Sequence, residues 1–280
     1  MLSRRTIAWY TVLILLGVTI LFGILLLQEG KLHISFLNVG QGDAILISGP
    51  TGIEVLVDGG RDRSVVRELP KKMGVLDRTL SAVVATHPDA DHVGGLSDVF
   101  ERYRVSYYLE PGIVHDTDVT ERLAAAIEQE AGLSIVTARA GQRLHLGGGA
   151  YADILYPDRD VSRLEPNSGS VAMRIVYGDT SFLLTGDAPS SVEGMLISRS
   201  SIKSDVLKAG HHGSRTSTSA AFLAAVSPSV VVVSAGKDNT YGHPHQDVLD
   251  RITSSGAEIL STAEDGTIEF VSDGEEIRQK

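Results

Sequence analysis

His87-Pro88-Asp89-Ala90-Asp91-His92 sets two imidazoles and two carboxylates within six residues. An apolar run over residues 80–86 reads as a strand that ends in His87. Gly94-Gly95 follows, then a helical pattern over residues 95–103. A loop at the end of a strand lets alternate side chains turn inward toward one point. Imidazole suits zinc, manganese or iron, and carboxylate oxygen suits harder divalent ions. Two His with two Asp at this spacing can serve two metals. The pattern His-x-Asp-x-Asp-His arises by chance on the order of 10⁻³ times per chain of this composition.

Further polar groups also sit at strand ends. Residues 181–185 read as a strand before Gly186-Asp187, and residues 205–208 as another before Gly210-His211-His212-Gly213-Ser214. On an extended segment adjacent side chains point to opposite sides. One of His211 and His212 is therefore expected to bind metal while the other contacts substrate. Tyr241-Gly242-His243-Pro244-His245 is a third histidine-bearing loop. Asp58 ends the apolar strand at residues 53–57, before Gly59-Gly60.

Around these sites strands and helices alternate. Residues 33–38, 43–48 and 53–57 read as a meander, joined first by Gly40-Gln41-Gly42. Helices are expected at 62–72, 119–130, 190–197, 217–225 and 246–254. Strands are expected at 105–109, 134–138, 143–146, 150–155, 170–177, 230–234, 258–261 and 267–271. Hairpins mixed with helices predict an α+β domain, a mixed sheet pair covered by helices.

The motifs together resemble the metallo-β-lactamase superfamily, whose usual signature is His-x-His-x-Asp-His. Asp89 in place of the second His resembles the branch that contains the competence protein ComEC. So do Asn38-Val39-Gly40-Gln41-Gly42-Asp43-Ala44-Ile45-Leu46-Ile47, Val57-Asp58-Gly59-Gly60, Asn167-Ser168-Gly169-Ser170-Val171, Thr185-Gly186-Asp187, Gly210-His211-His212-Gly213-Ser214 and Tyr241-Gly242-His243-Pro244. The match runs from about His33 to Val271. The resemblance implies an αββα sandwich with two divalent ions, zinc or manganese. It implies His87, Asp89, Asp91, His92, Asp187 and one or both of His211 and His212 as ligands, with Asp187 bridging. Asp91 would also take a proton from the attacking water. His243 would donate to the leaving oxygen or bind a non-bridging one. Asn167, Ser214, His243 and His245 are expected substrate contacts, and Asp58 an orienting group behind the ligands. Two departures stand out. Asn38 replaces the Asp that usually opens its turn, and the multi-helix channel of full ComEC proteins has no counterpart here, so a transport role does not carry over.

Composition narrows the function. The 280 residues hold no cysteine, which excludes disulfide scaffolds, iron–sulfur clusters and Cys nucleophiles. Net charge is −10, unlike a general nucleic-acid coat. Residues 7–27 are uncharged and, as a helix, about 31 Å long, enough to cross a bilayer. Arg4 and Arg5 before this stretch and Glu29 after it predict a single-pass anchor in the cell membrane with the catalytic domain, residues 31–280, extracellular. Signal cleavage and secretion is the alternative. The leading expectation is a phosphodiesterase or nuclease with DNA as a candidate substrate. A small-phosphodiester esterase of phosphorylcholine type, hydrolysis of another ester, lactam or thioester, and a non-catalytic metal module are the alternatives. No protein partner is inferred.

Overall fold

The computed structural model describes residues 9–11, 13–17, 19 and 30–280 except Ser200. The chain divides into two compact units, Met1–Gly30 and Lys31–Lys280. Among the described residues no helix is long and apolar enough to cross a membrane. This corrects the expectation of a single-pass anchor over residues 7–27 with an extracellular catalytic domain. Part of that expected span, and the alternative signal segment, lie outside the described residues.

Residues 31–280 form two facing sheets. The first contains β1 (Leu32–Phe36), β2 (Ile45–Ser48), β3 (Glu54–Val57), β4 (Thr79–Val84), β5 (Arg104–Glu110), β6 (Ser134–Thr137), β14 (Ile268–Ser272) and β15 (Ile277–Gln279). Their order is β15-β14-β1-β2-β3-β4-β5-β6. The second contains β7 (Arg143–Gly147), β8 (Ala150–Tyr156), β9 (Ala172–Tyr177), β10 (Thr180–Leu184), β11 (Val206–Lys208), β12 (Val230–Val233) and β13 (Glu258–Ser261). Their order is β13-β12-β11-β10-β9-β8-β7. Each sheet is antiparallel at one end and parallel at the other. The parallel pairs β3–β4, β4–β5 and β5–β6 match β10–β11, β11–β12 and β12–β13. Parallel neighbours need crossovers, and helices supply them. Val65–Met73, Leu96–Phe100 and Asp118–Gln129 cross on the first sheet; Ser190–Arg199, Ala220–Val226 and Gln246–Ser254 cross on the second.

Strand alternation explains the layering. Ile45 and Ile47 face the inter-sheet core, and Leu46 faces the helices of the first sheet. Phe182 and Leu184 likewise face inward while Leu183 packs under the helices of the second. The result is an αββα arrangement with three apolar layers. At the middle of the sandwich Phe270 meets Phe36 and Phe182 edge to face, at 6.0 and 5.9 Å between centroids. Such a buried ring contributes about 3–5 kcal/mol relative to alanine. Strand β15 was not expected from sequence. It is three residues long, and two of them are polar.

Candidate metal centre

The parallel strands of both sheets end at one edge, where open α/β sheets usually place their ligands. Asp58 follows β3, His87 lies just past β4, Asp187 follows β10, and His211 and His212 lie past β11. Residues 90–93 form one helical turn rather than an open loop. That turn is pinned by the glycine loop opposite. A Cβ on Gly42 would lie 1.9 Å from the Asp91 carbonyl oxygen, and the Asp43 N–H donates to that oxygen at 3.2 Å. Only glycine fits there.

Hydrogen bonds at the rear fix how the imidazoles present themselves. The Thr86 N–H donates to Asp58 Oδ1 at 2.8 Å, and the Thr86 hydroxyl to Asp58 Oδ2 at 2.7 Å. His92 Nδ1 lies 2.7 Å from the same Oδ2. An ionised carboxylate only accepts, so Nδ1 carries the proton and Nε2 faces the pocket. His212 Nδ1 likewise donates to the Ser234 carbonyl at 2.8 Å. The two Nε2 atoms face each other at 3.2 Å. Their lone pairs repel unless a proton or a cation lies between them. Asp187 Oδ1 is 3.3 Å from His92 Nε2, while Asp187 Oδ2 and Asp91 Oδ2 are each 3.4 Å from His212 Nε2.

A second cluster lies beside the first. His87 Nε2 is 3.6 Å from Asp89 Oδ2 and has no hydrogen-bond partner. His211 Nε2 is 3.6 Å from Asp187 Oδ2. The expectation that His211 and His212 diverge therefore needs correction. Neither residue is extended; their φ angles are 49° and 55°. Two consecutive left-handed residues curl the chain so that both rings approach Asp187. That backbone is strained for residues other than glycine, and such strain concentrates at functional sites.

Electrostatics follow from this crowding. Burial works against the charge of His92, but Asp187 and Asp58 outweigh it and hold the imidazole well above its ordinary value. His212 is raised in the same way, against burial, chiefly by Asp187. Burial would raise Asp187 and Asp91. The histidines overcome it, leaving both carboxylates ionised far below the usual range. His243 goes the other way. Burial, together with His211 and His212, pushes it down to about 4, so it is neutral at pH 7.

The metallo-β-lactamase superfamily model matches residues 37–237. The chain belongs to this superfamily. Its similarity to ComE operon protein 3 of Bacillus subtilis is 30% identity, covering 87% of this chain and 33% of that protein. Recombination protein 2 of Haemophilus influenzae is 32% identical over 90% of this chain and 31% of its own length. Competence protein ComA of Neisseria gonorrhoeae is 27% identical, over 86% and 32%. The chain thus spans about a third of the length of these relatives. Among solved structures, a metallo hydrolase of the archaeon Ignicoccus hospitalis superposes with a TM-score of 0.53 at 14% identity, covering 85% of this chain and 98% of that one. Zinc-bound PqqB of Methylobacterium extorquens gives 0.51 at 14%, over 79% and 85%. At this identity the two structures speak to the fold alone.

The donor set of this metallo-β-lactamase domain fits metal. Four buried residues, Asp43, His92, Asp187 and His212, offer ligand atoms within 4.8 Å of one another. His87 Nε2 and Asp187 Oδ1 are buried with no hydrogen-bond partner, as atoms reserved for a cation would be. A cavity of about 90 Å³ opens over Asp187, lined by Asp89, Asp91, Asp187, His211, His212 and His243 together with Gln41 and Tyr241, while His87 lies outside its lining. Three expected substrate contacts do not line it. The Ser214 hydroxyl accepts from Thr216 within its own turn. His245 precedes the helix Gln246–Ser254, with its ring 5.0 Å from that of His243. Asn167 lies on a turn at Pro166–Gly169 and keeps a buried Oδ1 without a partner. Sequence reasoning gave no role to Gln41, Asp43 or Lys208. Lys208 left one trace, a lysine closing an otherwise apolar strand end.

Proposed function

We propose that this metal-dependent hydrolase carries a two-cation centre that cleaves phosphodiester bonds, with DNA the first substrate to test. The convergence of His92 Nε2 and His212 Nε2, each with its Nδ1 proton committed elsewhere, carries the reading. His92, His212, Asp91 and Asp187 would hold one cation, with Asp91 at the open side of the cluster in place of Asp43, whose carboxylate is paired with Lys208. His87, Asp89, His211 and the other Asp187 oxygen would hold the second. Nitrogen-rich donors suit zinc, and the added Asp89 oxygen suits manganese. Divalent cations in such a cage lower the pKa of water toward neutrality and polarise a phosphoryl oxygen.

The protein's own groups do the rest. Asp91, ionised at neutral pH, takes the proton of the attacking water. The amide orientation of Gln41 is set by the Gly236 N–H donating to its Oε1 at 3.1 Å, so its NH₂ faces Asp91 and the cavity. There it can donate to a non-bridging oxygen. Neutral His243 offers a ring N–H hydrogen bond to a phosphoryl oxygen, and the leaving oxygen takes its proton from the carboxyl of Asp91, which holds the one removed from water. Two of the relatives are named for competence and recombination, which favours DNA over a small phosphodiester. The test is a purified protein assayed for bound metal and for cleavage of bis-nitrophenyl phosphate and of single- and double-stranded DNA, with and without chelator. About two metals per chain and chelator-sensitive cleavage are expected. A folded preparation that takes up no divalent ion refutes the proposal.

A further inference from the structure

Behind the metal cage lies a charged group that the hydrolytic reading leaves unused. Lys208 is fully buried. Its Nζ is 2.5 Å from Asp43 Oδ2 and 3.6 Å from Asp187 Oδ1, and it donates to the Gly186 carbonyl at 3.3 Å. Asp43 is itself buried, with Oδ1 3.5 Å from His212 Nδ1 and Oδ2 3.9 Å from His92 Nδ1. The ammonium therefore stands within ion-pair reach of Asp187 on one side, short of a hydrogen bond, and, through Asp43, backs both inner histidines on the other. A lone buried cation is costly, and so is a cluster of buried carboxylates with none. Asp43, Asp58, Asp91 and Asp187 all crowd this volume, and among the described residues Lys208 is the lysine that reaches into it.

We propose that Lys208 is a positioning residue that acts as a resident cation: it holds the acidic cage assembled before metal arrives, and it competes with metal for Asp187. This rests on the cage being a divalent-metal site. The consequence is opposite in sign to that of a residue that merely packs. Lys208 and a divalent ion are like charges sharing Asp187, so each weakens the hold of the other. Removing Lys208 should destabilise the metal-free protein and tighten metal binding together. A lysine whose role is to aim Asp187 at the metal would, on removal, loosen binding. A purely structural ion pair would leave affinity unchanged and lower stability equally with and without metal.

The test compares the full chain with Lys208→Met, which keeps the length of the side chain and discards its charge. Zinc or manganese alone is titrated against a competing indicator, and thermal midpoints are read with chelator and with saturating metal. The expected result is metal binding at least about tenfold tighter, from removal of a like charge a few ångströms away. The midpoint in chelator should fall by about 10 °C, with most of that loss recovered on adding metal. Equal or weaker binding overturns the proposal, as does a midpoint loss of the same size in both conditions. If Lys208→Met does not fold without metal, the substitution is repeated in an Asp43→Asn background, which removes the carboxylate left uncompensated. There it must again bind metal about tenfold more tightly than Asp43→Asn alone, and no gain overturns the idea. If the parent protein binds no metal, the metal-site reading fails, which is a different result from a parent that binds and a variant that gains nothing.

Discussion

Asp58→Asn tests whether the rear hydrogen bonds set the chemistry of the front. Asp58 accepts three hydrogen bonds, from the Thr86 N–H, the Thr86 hydroxyl and His92 Nδ1. Asparagine is nearly isosteric but has only one accepting oxygen. If that oxygen stays on the Thr86 N–H, the new NH₂ faces His92 Nδ1 at about the present 2.7 Å. Two donors cannot share that contact. His92 must then shift its proton to Nε2, the atom that faces the cage, or turn its ring away from Asp187. Either outcome removes one nitrogen ligand without touching the pocket. Loss of such a supporting carboxylate typically costs 10–100-fold in metal affinity, which is about 1.4–2.7 kcal/mol. Isothermal titration of zinc and manganese into parent and variant measures it, with circular dichroism as the check on folding. A folded variant with metal affinity within twofold of the parent would show that Asp58 does not orient His92, and the argument for a preset imidazole would fail.

Other consequences are as direct. His92 and His212 are held above the ordinary imidazole value, so the stability they lend the metal-free protein is full below about pH 6.5 and is lost as pH rises through their raised values. Thermal midpoints in chelator should therefore decline as pH rises above about 6.5 and through the raised values, and metal affinity should climb over the same range as fewer protons need displacing; a midpoint that rises with pH there contradicts this. Gly42→Ala places a methyl 1.9 Å from the Asp91 carbonyl and should cost at least about 2 kcal/mol in denaturant unfolding, together with loss of metal. His243→Ala should lower kcat for bis-nitrophenyl phosphate while leaving metal content intact, as measured by elemental analysis; loss of metal would make His243 a ligand instead. Cleavage of long DNA should weaken steeply between 50 and 200 mM salt, since each neutralised phosphate releases counterions, while cleavage of the small ester should change little.

Much of the fold and of the candidate site was legible in the sequence because polar groups interrupt apolar runs. His87, Asp187 and the His211-His212 pair each follow a strand of Val, Leu or Phe, and a polar residue there has few structural reasons to exist. The paired sheets were legible because hairpin-linked strands are mixed with helices along the chain, the pattern of an α+β domain. What escaped reading depends on tertiary closure. Nothing in Gly210-His211-His212-Gly213 demands two left-handed histidines; that shape comes from fitting the loop against β12 and the Ser234 carbonyl. Asp43 reads as the tail of a glycine turn, and Lys208 as a strand end. Their 2.5 Å contact joins positions far apart in the chain, and no local pattern announces it. Helical Ala90–Val93 was hidden because a single turn is too short to show a period.

The aromatic trio of Phe36, Phe182 and Phe270 locks the two sheets face to face, and each sheet brings its own half of the candidate ligands. His87, Asp91 and His92 ride on one slab, and Asp187, His211 and His212 on the other. Sliding one slab past the other by a single ångström would part His92 from His212 while breaking no bond inside either half. Residues deep in the sandwich thus govern the register of a site they never touch. A conservative change at Phe270 can present as a fault in reactivity long before it presents as a fault in folding.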